Sequence, residues 1–468
     1  MRLILLPLLS LLVISVAAQS INNNSHPSPT PSQLKWHQLE YYWFAHFGPN
    51  TFTGEEWGSG KEPSSIFNPT AFDARQWCKL AKQSGAKGII ITAKHHDGFC
   101  LWPSQFSTHT VRESPWKNGQ GDVLKELSSA CKEYGLLFGV YLSPWDRNHP
   151  SYGTDAYNQV FANMLKEIFQ QYGSIGELWW DGANGEGPNG KRQVYDWNLF
   201  RSTIKSLSPE TVIFSDVGPH IRWVGNEKGY AGKTNWNLLN IEGFEPGEKG
   251  PKTDTLGSGN KYGSHWIPAE CDVSIRPGWF WRASENTKVK SPVALFQLYL
   301  KSVGRGANLL LNIPPDNNGL ITPYDSASLV DFKKLLQTNF SNNRTTQASL
   351  KVVNGNKITT TKYPISINNG CEHIHINFKK SESINCIVLE EDISNGQFCS
   401  QFDLSLYNEK NELVHTINGT TIGHKRILTF PSQTIKKIIL RVTEQKAPLR
   451  IQSIKAYSIQ ESLIEIEK

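Results

Sequence analysis

Residues 88–99 read GIIITAKHHDGF, an apolar run that ends abruptly in charged and polar residues. An unbroken apolar run rich in isoleucine predicts a buried β-strand. Further runs of the same kind recur along the chain, at residues 137–142, 177–181, 211–215 and 308–313. Amphipathic segments that predict helices lie before or between these runs, at residues 71–84, 122–134, 156–172 and 194–207.

The alternation of strands and helices predicts an α/β fold with a parallel sheet that is covered on both faces. About 300 residues of this alternation suit a (β/α)8-like TIM barrel, which we expect over residues 34–340. A doubly wound open sheet is the alternative. No G-x-G-x-x-G sequence follows a predicted strand, so nothing in the sequence supports a nucleotide-binding sheet.

The sequence pattern changes after Phe340. Short stretches of alternating apolar and polar residues, such as 373–378 and 437–442, are separated there by turn residues. This pattern predicts a C-terminal all-β sandwich over residues 341–468. Residues 19–33 are rich in Asn, Ser and Pro and predict a flexible N-terminal segment.

The first residues, MRLILLPLLSLLVISVAAQS, contain one arginine, an apolar run and then small residues before Gln19. They predict a secretory signal peptide over residues 1–18, since the run is short for the alternative, a membrane anchor. We expect a protein without an anchor, secreted from the cell or held in an acidic lumen such as a lysosome or vacuole. Four N-x-Ser/Thr triplets supply candidate glycan sites, at Asn23, Asn339, Asn343 and Asn418.

Charge and cysteine spacing favour neither a nucleic-acid-binding protein nor a cysteine-bound metal site. A net charge of +6 over 468 residues gives no argument for nucleic-acid binding. None of the seven cysteines has metal-ligand spacing, and their odd number leaves at least one unpaired within the chain, with room for one or two disulfides. Fifteen tryptophans fit an aromatic core, and such an excess is also typical of sugar-binding sites.

Polar and ionisable residues follow five of the predicted strands. In a barrel the C-terminal ends of the strands meet at one face, which is where barrel enzymes carry their chemistry. The residues placed there are His46 after a run at 42–44, the segment 94–99, the segment 143–146, Asp181, and the segment 216–227. Any one of these residues alone could equally have a purely structural role in the core. Five strand ends with such residues together indicate a functional site.

Two carboxylates stand out in this set, Asp181 and Glu227. A pair of carboxylates with flanking aromatic and histidine side chains is typical of glycoside hydrolysis. Asp181 at a rigid strand end suits the nucleophile, and Glu227 on a loop suits the acid/base. The adjacent His95 and His96 also allow a metal-dependent hydrolase, but neighbouring residues of a strand point to opposite faces, so we expect no metal. A lectin-like binding protein is the third alternative.

Several motifs together resemble the α-L-fucosidases of glycoside hydrolase family 29. They are HFG at 46–48, EWG at 56–58, KHHDGF at 94–99 and WWDG at 179–182. The stretches IRWVGNE at 221–227 and PAECDVSIRPGWF at 268–280 are similar to the subgroup that prefers α-1,3/1,4-linked fucose, which includes plant-type enzymes. The resemblance is strong over residues 36–315 and weaker in the tail, at residues 419–426.

The resemblance implies a retaining exo-glycosidase that removes terminal fucose from oligosaccharides or glycoprotein glycans by double displacement, without a cofactor. It implies Asp181 as the nucleophile and Glu227 as the acid/base. The sugar-binding positions that it implies are His46, Glu56, Trp57, His95, His96, Tyr141, Trp179 and Arg222. Trp279, Phe280 or Trp281 would form an aromatic wall against the fucose methyl group.

Overall fold

The computed structural model describes residues 26–368 and 372–465. The predicted signal peptide, Asn23 and Cys371 lie outside these ranges. Eight parallel strands close into a barrel, which confirms the predicted fold class. The barrel strands are β1 (Tyr41–Ala45), β2 (Gly88–Lys94), β3 (Leu137–Leu142), β4 (Glu177–Trp179), β5 (Val212–Ser215), β6 (Ile221–Trp223), β9 (Ala269–Ser274) and β10 (Asn308–Asn312).

The strands are neighbours in the order β1-β10-β9-β6-β5-β4-β3-β2, so the barrel closes between β1 and β2. A short antiparallel pair, β7 (Leu238–Leu239) and β8 (His265–Trp266), lies in the connection between β6 and β9. The helices are α1 (Pro31–His37), α2 (Pro49–Thr53), α3 (Ala74–Ser84), α4 (Val123–Tyr134), α5 (Asp155–Gln171), α6 (Trp197–Leu207), α7 (Thr253–Ser258), α8 (Pro292–Lys301) and α9 (Pro323–Phe340).

The outer helices begin and end where the sequence supplies caps. The Asp73 carboxylate accepts from the first-turn amides of α3, and Gly85 ends that helix at a φ of 84°. Asp122 and Gly135 perform the same two functions for α4. Both helices turn an apolar face to the barrel, and burial of those faces against the strands stabilises the closed sheet.

The inside of the barrel holds large aromatic side chains. Trp36 on α1 closes the end of the barrel where the strands begin, and its indole N–H donates to Tyr42 and to Glu177. Above it lie Phe44 and Trp179, which pack at a ring separation of 5.2 Å. A solid aromatic interior leaves the opposite end, where the strands terminate, as the place for a site.

A second sheet of eight antiparallel strands follows α9. Its strands are β11 (Ser349–Asn354), β12 (Lys357–Thr360), β13 (Ile365–Ile367), β14 (Glu372–Glu391), β15 (Cys399–Tyr407), β16 (Leu413–Gly419), β17 (Arg426–Gln445) and β18 (Leu449–Tyr457). This sheet contacts the barrel through the segment before β17: Thr421 accepts from the Asn235 amide, and Lys425 pairs with Glu40.

The predicted glycan acceptors differ in accessibility. Asn339 is buried, its side-chain amide donates to the Leu335 carbonyl, and its oxygen accepts from the Gln460 amide. A glycan has no room there, so Asn339 is not an acceptor in this fold. Asn343 caps a short helical turn, whereas Asn418 is exposed on β16.

The described cysteines and helices bear on the predicted disulfides and membrane anchor. The six described cysteines are free thiols, and Cys78 and Cys131 come closest, with their sulfurs 3.8 Å apart. Within the described ranges no helix has the length and apolar character needed to cross a bilayer.

Candidate active site

Asp181 lies at the mouth of the barrel, two residues beyond the end of β4. Its Oδ2 accepts a hydrogen bond of 3.0 Å from the Tyr141 hydroxyl and lies 3.6 Å from His96 Nε2. Its Oδ1 accepts from the Ala183 amide at 2.7 Å. The side chain is still 27% exposed, so the carboxylate is held from several sides and remains open to a ligand.

Three histidines line the same opening. The rings of His95 and His96 are 4.2 Å apart, and His46 lies 5.7 Å from His95. Burial lowers the pKa of His46 to about 3 and that of His96 to about 4, and it lowers the pKa of His95 well below its ordinary value. The three imidazoles are therefore neutral near neutral pH and can both donate to and accept from sugar hydroxyls.

The strand-alternation argument about the adjacent histidines is wrong. His95 and His96 both turn toward Tyr141, at ring separations of 5.6 and 6.5 Å. The reason is that β2 ends at Lys94, so alternation does not extend to them. Gly98, at a φ of 82°, completes the turn, and a side chain there would meet Asp146.

His46 and His96 each have a polar partner at the end of a neighbouring strand. Asn312, at the end of β10, lies 2.9 Å from His46 Nδ1, and Ser143, just past β3, lies 2.7 Å from His96 Nδ1. The His95 Nδ1 atom is buried with no partner among the described groups. The one signal available for Asn312 and Ser143 was their position at strand ends.

Glu227 reaches the site from the loop after β6. Its Oε2 accepts a hydrogen bond of 3.3 Å from the Trp279 indole. Burial and the charge of nearby Asp181 raise the pKa of Glu227, although the bond from Trp279 acts in the opposite direction. A carboxyl on an exposed loop whose pKa is nevertheless raised suits a group that must hold a proton.

Glu56 and Trp57 occupy the rim of the opening. The Glu56 carboxylate pairs with Arg282 and accepts from the Trp279 amide at 3.0 Å. Trp57 is 58% exposed and meets the ring of His96 edge-on at 6.2 Å. An exposed indole beside a polar cluster leaves an apolar surface free for a ligand.

Comparison of the sequence with family models shows which family carries this arrangement of residues. A family model described as Alpha-L-fucosidase matches residues 13–340. The chain belongs to the α-L-fucosidase family. Alpha-L-fucosidase 1 of Arabidopsis thaliana is 42% identical to it over 433 residues, which cover 88% of this chain and 84% of that protein. The resemblance seen in the motifs is thereby confirmed, and the protein is a glycoside hydrolase.

Solved structures of related proteins agree with this family assignment. A glycoside hydrolase 29 family member from an unknown rumen bacterium superposes with a TM-score of 0.84 at 39% identity, covering 95% of this chain and 79% of that one. A Ruminococcus gnavus GH29 fucosidase in complex with fucose gives 0.84 at 30% identity, with 94% and 96% covered. The fold of the fucosidase is thus shared over nearly its whole length.

One residue expected to contact the sugar does not meet the rest of the set. Arg222 is fully buried on β6, and its guanidinium donates to the carbonyls of Leu256, Ile267 and Trp236 and to Asn235. Its donors are used by the fold, so the prediction that it binds sugar is wrong for this structure. The Trp281 indole N–H is buried without a partner in the described part of the chain.

The two residues before Trp281 pack against the histidines, Trp279 partly exposed and Phe280 fully buried. Trp279 lies 5.0 Å from the His46 ring, and Phe280 lies 5.4 Å from the same ring. Phe280 also meets His95 edge-on at 5.1 Å. An apolar surface beside three neutral imidazoles suits a sugar that carries both hydroxyl groups and a methyl group.

Two further carboxyls border the site: Asp216, which the sequence already placed at a strand end, and Asp272, which the sequence did not single out. Asp216 lies against Gly182 and Gly247. Burial and the charge of Asp181 raise the pKa of Asp216 to about 6.

Asp272 accepts a hydrogen bond of 2.9 Å from the Trp223 indole. Burial and the charge of nearby Glu227 raise the pKa of Asp272 well above its ordinary value. These neighbours place the catalytic carboxyl candidates in a cluster of acids.

Proposed function

We propose that this α-L-fucosidase is a retaining enzyme in which Asp181 is the nucleophile and Glu227 is the acid/base. The observation that carries the proposal is the presence of both carboxyls in one opening, Asp181 held by Tyr141 and Glu227 held by Trp279. A retaining mechanism needs a fixed nucleophile and a second acid that protonates the departing oxygen.

In the first step an Asp181 oxygen bonds to the anomeric carbon while the bond from that carbon to the leaving oxygen breaks. Glu227 gives its proton to the leaving oxygen. In the second step Glu227 removes a proton from water, whose oxygen displaces Asp181 and releases fucose. Two inversions at the anomeric carbon retain its configuration, and Glu227 ends the cycle protonated.

Recognition of the sugar follows from the walls of the opening. His46, His95 and His96 supply neutral donors and acceptors for ring hydroxyls, and their positions are fixed by Asn312, by the aromatic contacts and by Ser143. The partly exposed Trp279 supplies the apolar surface for the methyl group, and the fully buried Phe280 supports the histidines beside it. Fucose carries a methyl where most hexoses carry a hydroxymethyl, so an apolar wall there discriminates between them.

We further propose a preference for α-1,3- and α-1,4-linked fucose on glycans of secretory-pathway or extracellular origin. The IRWVGNE motif and the similarity to a plant relative support the linkage, and the N-terminal apolar segment supports entry into the secretory pathway. Asn418 is the most accessible of the described candidates for a glycan of the fucosidase itself.

The test is a hydrolysis panel with fucose in α-1,2, α-1,3, α-1,4 and α-1,6 linkage, followed by proton NMR of the first product formed. We expect cleavage of the 1,3 and 1,4 linkages and initial release of the α-anomer. Initial release of the β-anomer would contradict retention, and equal rates on all four linkages would contradict the preference. Amino-terminal sequencing of the mature protein tests cleavage after Ala18.

A further inference from the structure

Two carboxyl groups lie inside the barrel, beneath the active site. Glu177 on β4 and Glu270 on β9 are both fully buried. Glu177, Trp179 and Asp181 alternate along one strand and its continuation, so all three point to the inside of the barrel. Neither acid has a role in the proposed chemistry. A buried charge is costly unless it is paired or hydrogen-bonded, so the surroundings of both acids need an explanation.

Both oxygens of Glu270 accept hydrogen bonds, whereas only one oxygen of Glu177 does. Glu270 Oε1 accepts from the Trp179 indole at 2.8 Å, and its Oε2 accepts from the Tyr42 hydroxyl. Glu177 Oε2 accepts from Trp36 at 3.0 Å, but its Oε1 is buried with no partner. Among the described residues no Lys, Arg or His forms an ion pair with either acid.

This arrangement calls for a proton between the two acids. Two adjacent carboxylates in an apolar interior cannot both be ionised without a cation. Burial and the neighbouring Glu270 raise the pKa of Glu177 well above its ordinary value. A protonated Glu177 donates to Glu270, and Glu270 then receives donors from Glu177, Trp179 and Tyr42.

The indole held by Glu270 forms the floor of the active site. Trp179 stacks on Phe214 at 3.9 Å with the planes 9° apart, and on its other side it lies 5.4 Å from Tyr141. Stacking between flat rings leaves each ring free to turn in its own plane. The hydrogen bond to Glu270 removes that freedom, and Tyr141 in turn donates to Asp181.

We propose that Glu270 is a positioning residue for fucoside hydrolysis, fixing the plane and rotation of Trp179 and, through the stacked Tyr141, the orientation of Asp181. The proposal rests on the proposed function of Asp181. Glu270 itself contacts neither substrate nor the reacting atoms. Its effect is expected on the attack step, because a nucleophile displaced by a fraction of an ångström loses rate steeply.

The test compares Glu270→Gln with Glu177→Gln on an aryl α-L-fucoside. Gln at position 270 replaces one acceptor oxygen with a donor that faces either Trp179 or Tyr42, so kcat/KM should fall by about tenfold or more. Gln at position 177 still donates to Glu270 and still accepts from Trp36, so its loss should stay below about threefold. Calorimetric titration with L-fucose counts the competent sites and normalises kcat for each variant.

A double-mutant cycle separates positioning from a general structural effect. Trp179→Phe keeps a stacked aromatic ring and removes the indole N–H. It therefore removes the same hydrogen bond to Glu270 by deleting its donor. If Glu270 acts through Trp179, the double variant should be no more than about twofold worse than the poorer single variant. Losses that multiply, or a Glu270→Gln enzyme within about twofold of wild type, would overturn the proposal.

The outcomes remain distinguishable from failure of the proposed function. A wild-type enzyme with no activity on the aryl fucoside overturns the function, whereas an active wild type with unaffected variants overturns only the role of Glu270. If Glu270→Gln does not fold, Trp179→Phe alone tests the proposal. A fall of about tenfold in kcat/KM supports a positioning role for the hydrogen bond between Trp179 and Glu270, and a change within about twofold contradicts it.

Discussion

The Tyr141 hydroxyl lies 3.0 Å from Asp181 Oδ2 and donates a hydrogen bond to it. Tyr141 comes from β3 and Asp181 from the end of β4, so the contact joins two neighbouring strands of the barrel. Burial and the charge of Asp181 raise the pKa of Tyr141 well above its ordinary value, which keeps the hydroxyl protonated as a donor. The bond fixes which carboxylate oxygen faces the opening.

Tyr141→Phe should therefore lower kcat/KM on an aryl fucoside by about 10- to 100-fold, the cost of one hydrogen bond to a charged group. The ring stays stacked on Trp179, so the thermal midpoint should change little. Tyr262→Phe is the matched control, because that tyrosine is 76% exposed and lies outside the site. An unchanged kcat/KM for Tyr141→Phe would show that Asp181 does not depend on this donor.

Asp181→Gly should lower turnover of an aryl fucoside by about 1,000-fold or more, because no group remains to attack the anomeric carbon. Added azide should restore part of the rate, since the small anion fits the space left by the carboxymethyl group. A single displacement by azide inverts the centre and gives β-fucosyl azide, which NMR detects. Near-normal turnover without azide would remove Asp181 from the nucleophile position.

Glu227→Ala should affect substrates unequally. A sugar leaving group needs protonation, so hydrolysis of an oligosaccharide should fall by about 100-fold or more, while the first step on an activated aryl fucoside should survive better. The second step lacks its base, so a fucosyl-enzyme should accumulate, visible as a burst and as an added mass on the protein. Equal losses on both substrates with no trapped species would exclude Glu227.

Trp279→Phe should move the alkaline limb of the kcat/KM profile to higher pH. Glu227 must be protonated to act as an acid, so its pKa sets the pH at which activity falls. The Trp279 N–H stabilises the ionised carboxylate and lowers that pKa, so its removal should shift the limb upward by about 0.5–1 pH unit. Trp281→Phe, which removes no bond to Glu227, is the control. A downward shift would contradict the assignment.

In most of the strands that the sequence predicted, any charged residue lies at an end, as Glu177 does in β4 and Lys94 in β2. Two barrel strands escaped prediction, β6 and β9, because in each of them buried charged residues interrupt the apolar run. Arg222 interrupts the first, and Glu270 with Asp272 interrupts the second. A buried charge is tolerated only where a partner satisfies it, and those partners come from distant parts of the chain.

The candidate site was predictable to the extent that it consists of strand ends. Asp181, the three histidines and Tyr141 meet in the structure because parallel strands terminate at one edge. Arg222 failed for the opposite reason: it lies within a strand, and alternation turns it outward, where the carbonyls around it use its donors. Only the folded chain shows on which side of the barrel wall a strand residue lies.

Arg276 and Asp325 form a fully buried pair that anchors the segment bearing Trp279. Arg276 Nε lies 2.9 Å from Asp325 Oδ1, and its Nη2 lies 2.7 Å from Oδ2. Asp325→Asn leaves the guanidinium buried without its counter-charge, so the free energy of unfolding should fall by about 3–5 kcal/mol. Asp331→Asn on the same helix removes an exposed pair with Lys334 and should cost about 0–1 kcal/mol. Urea denaturation of both variants measures the difference, and equal costs would show that burial does not govern this pair.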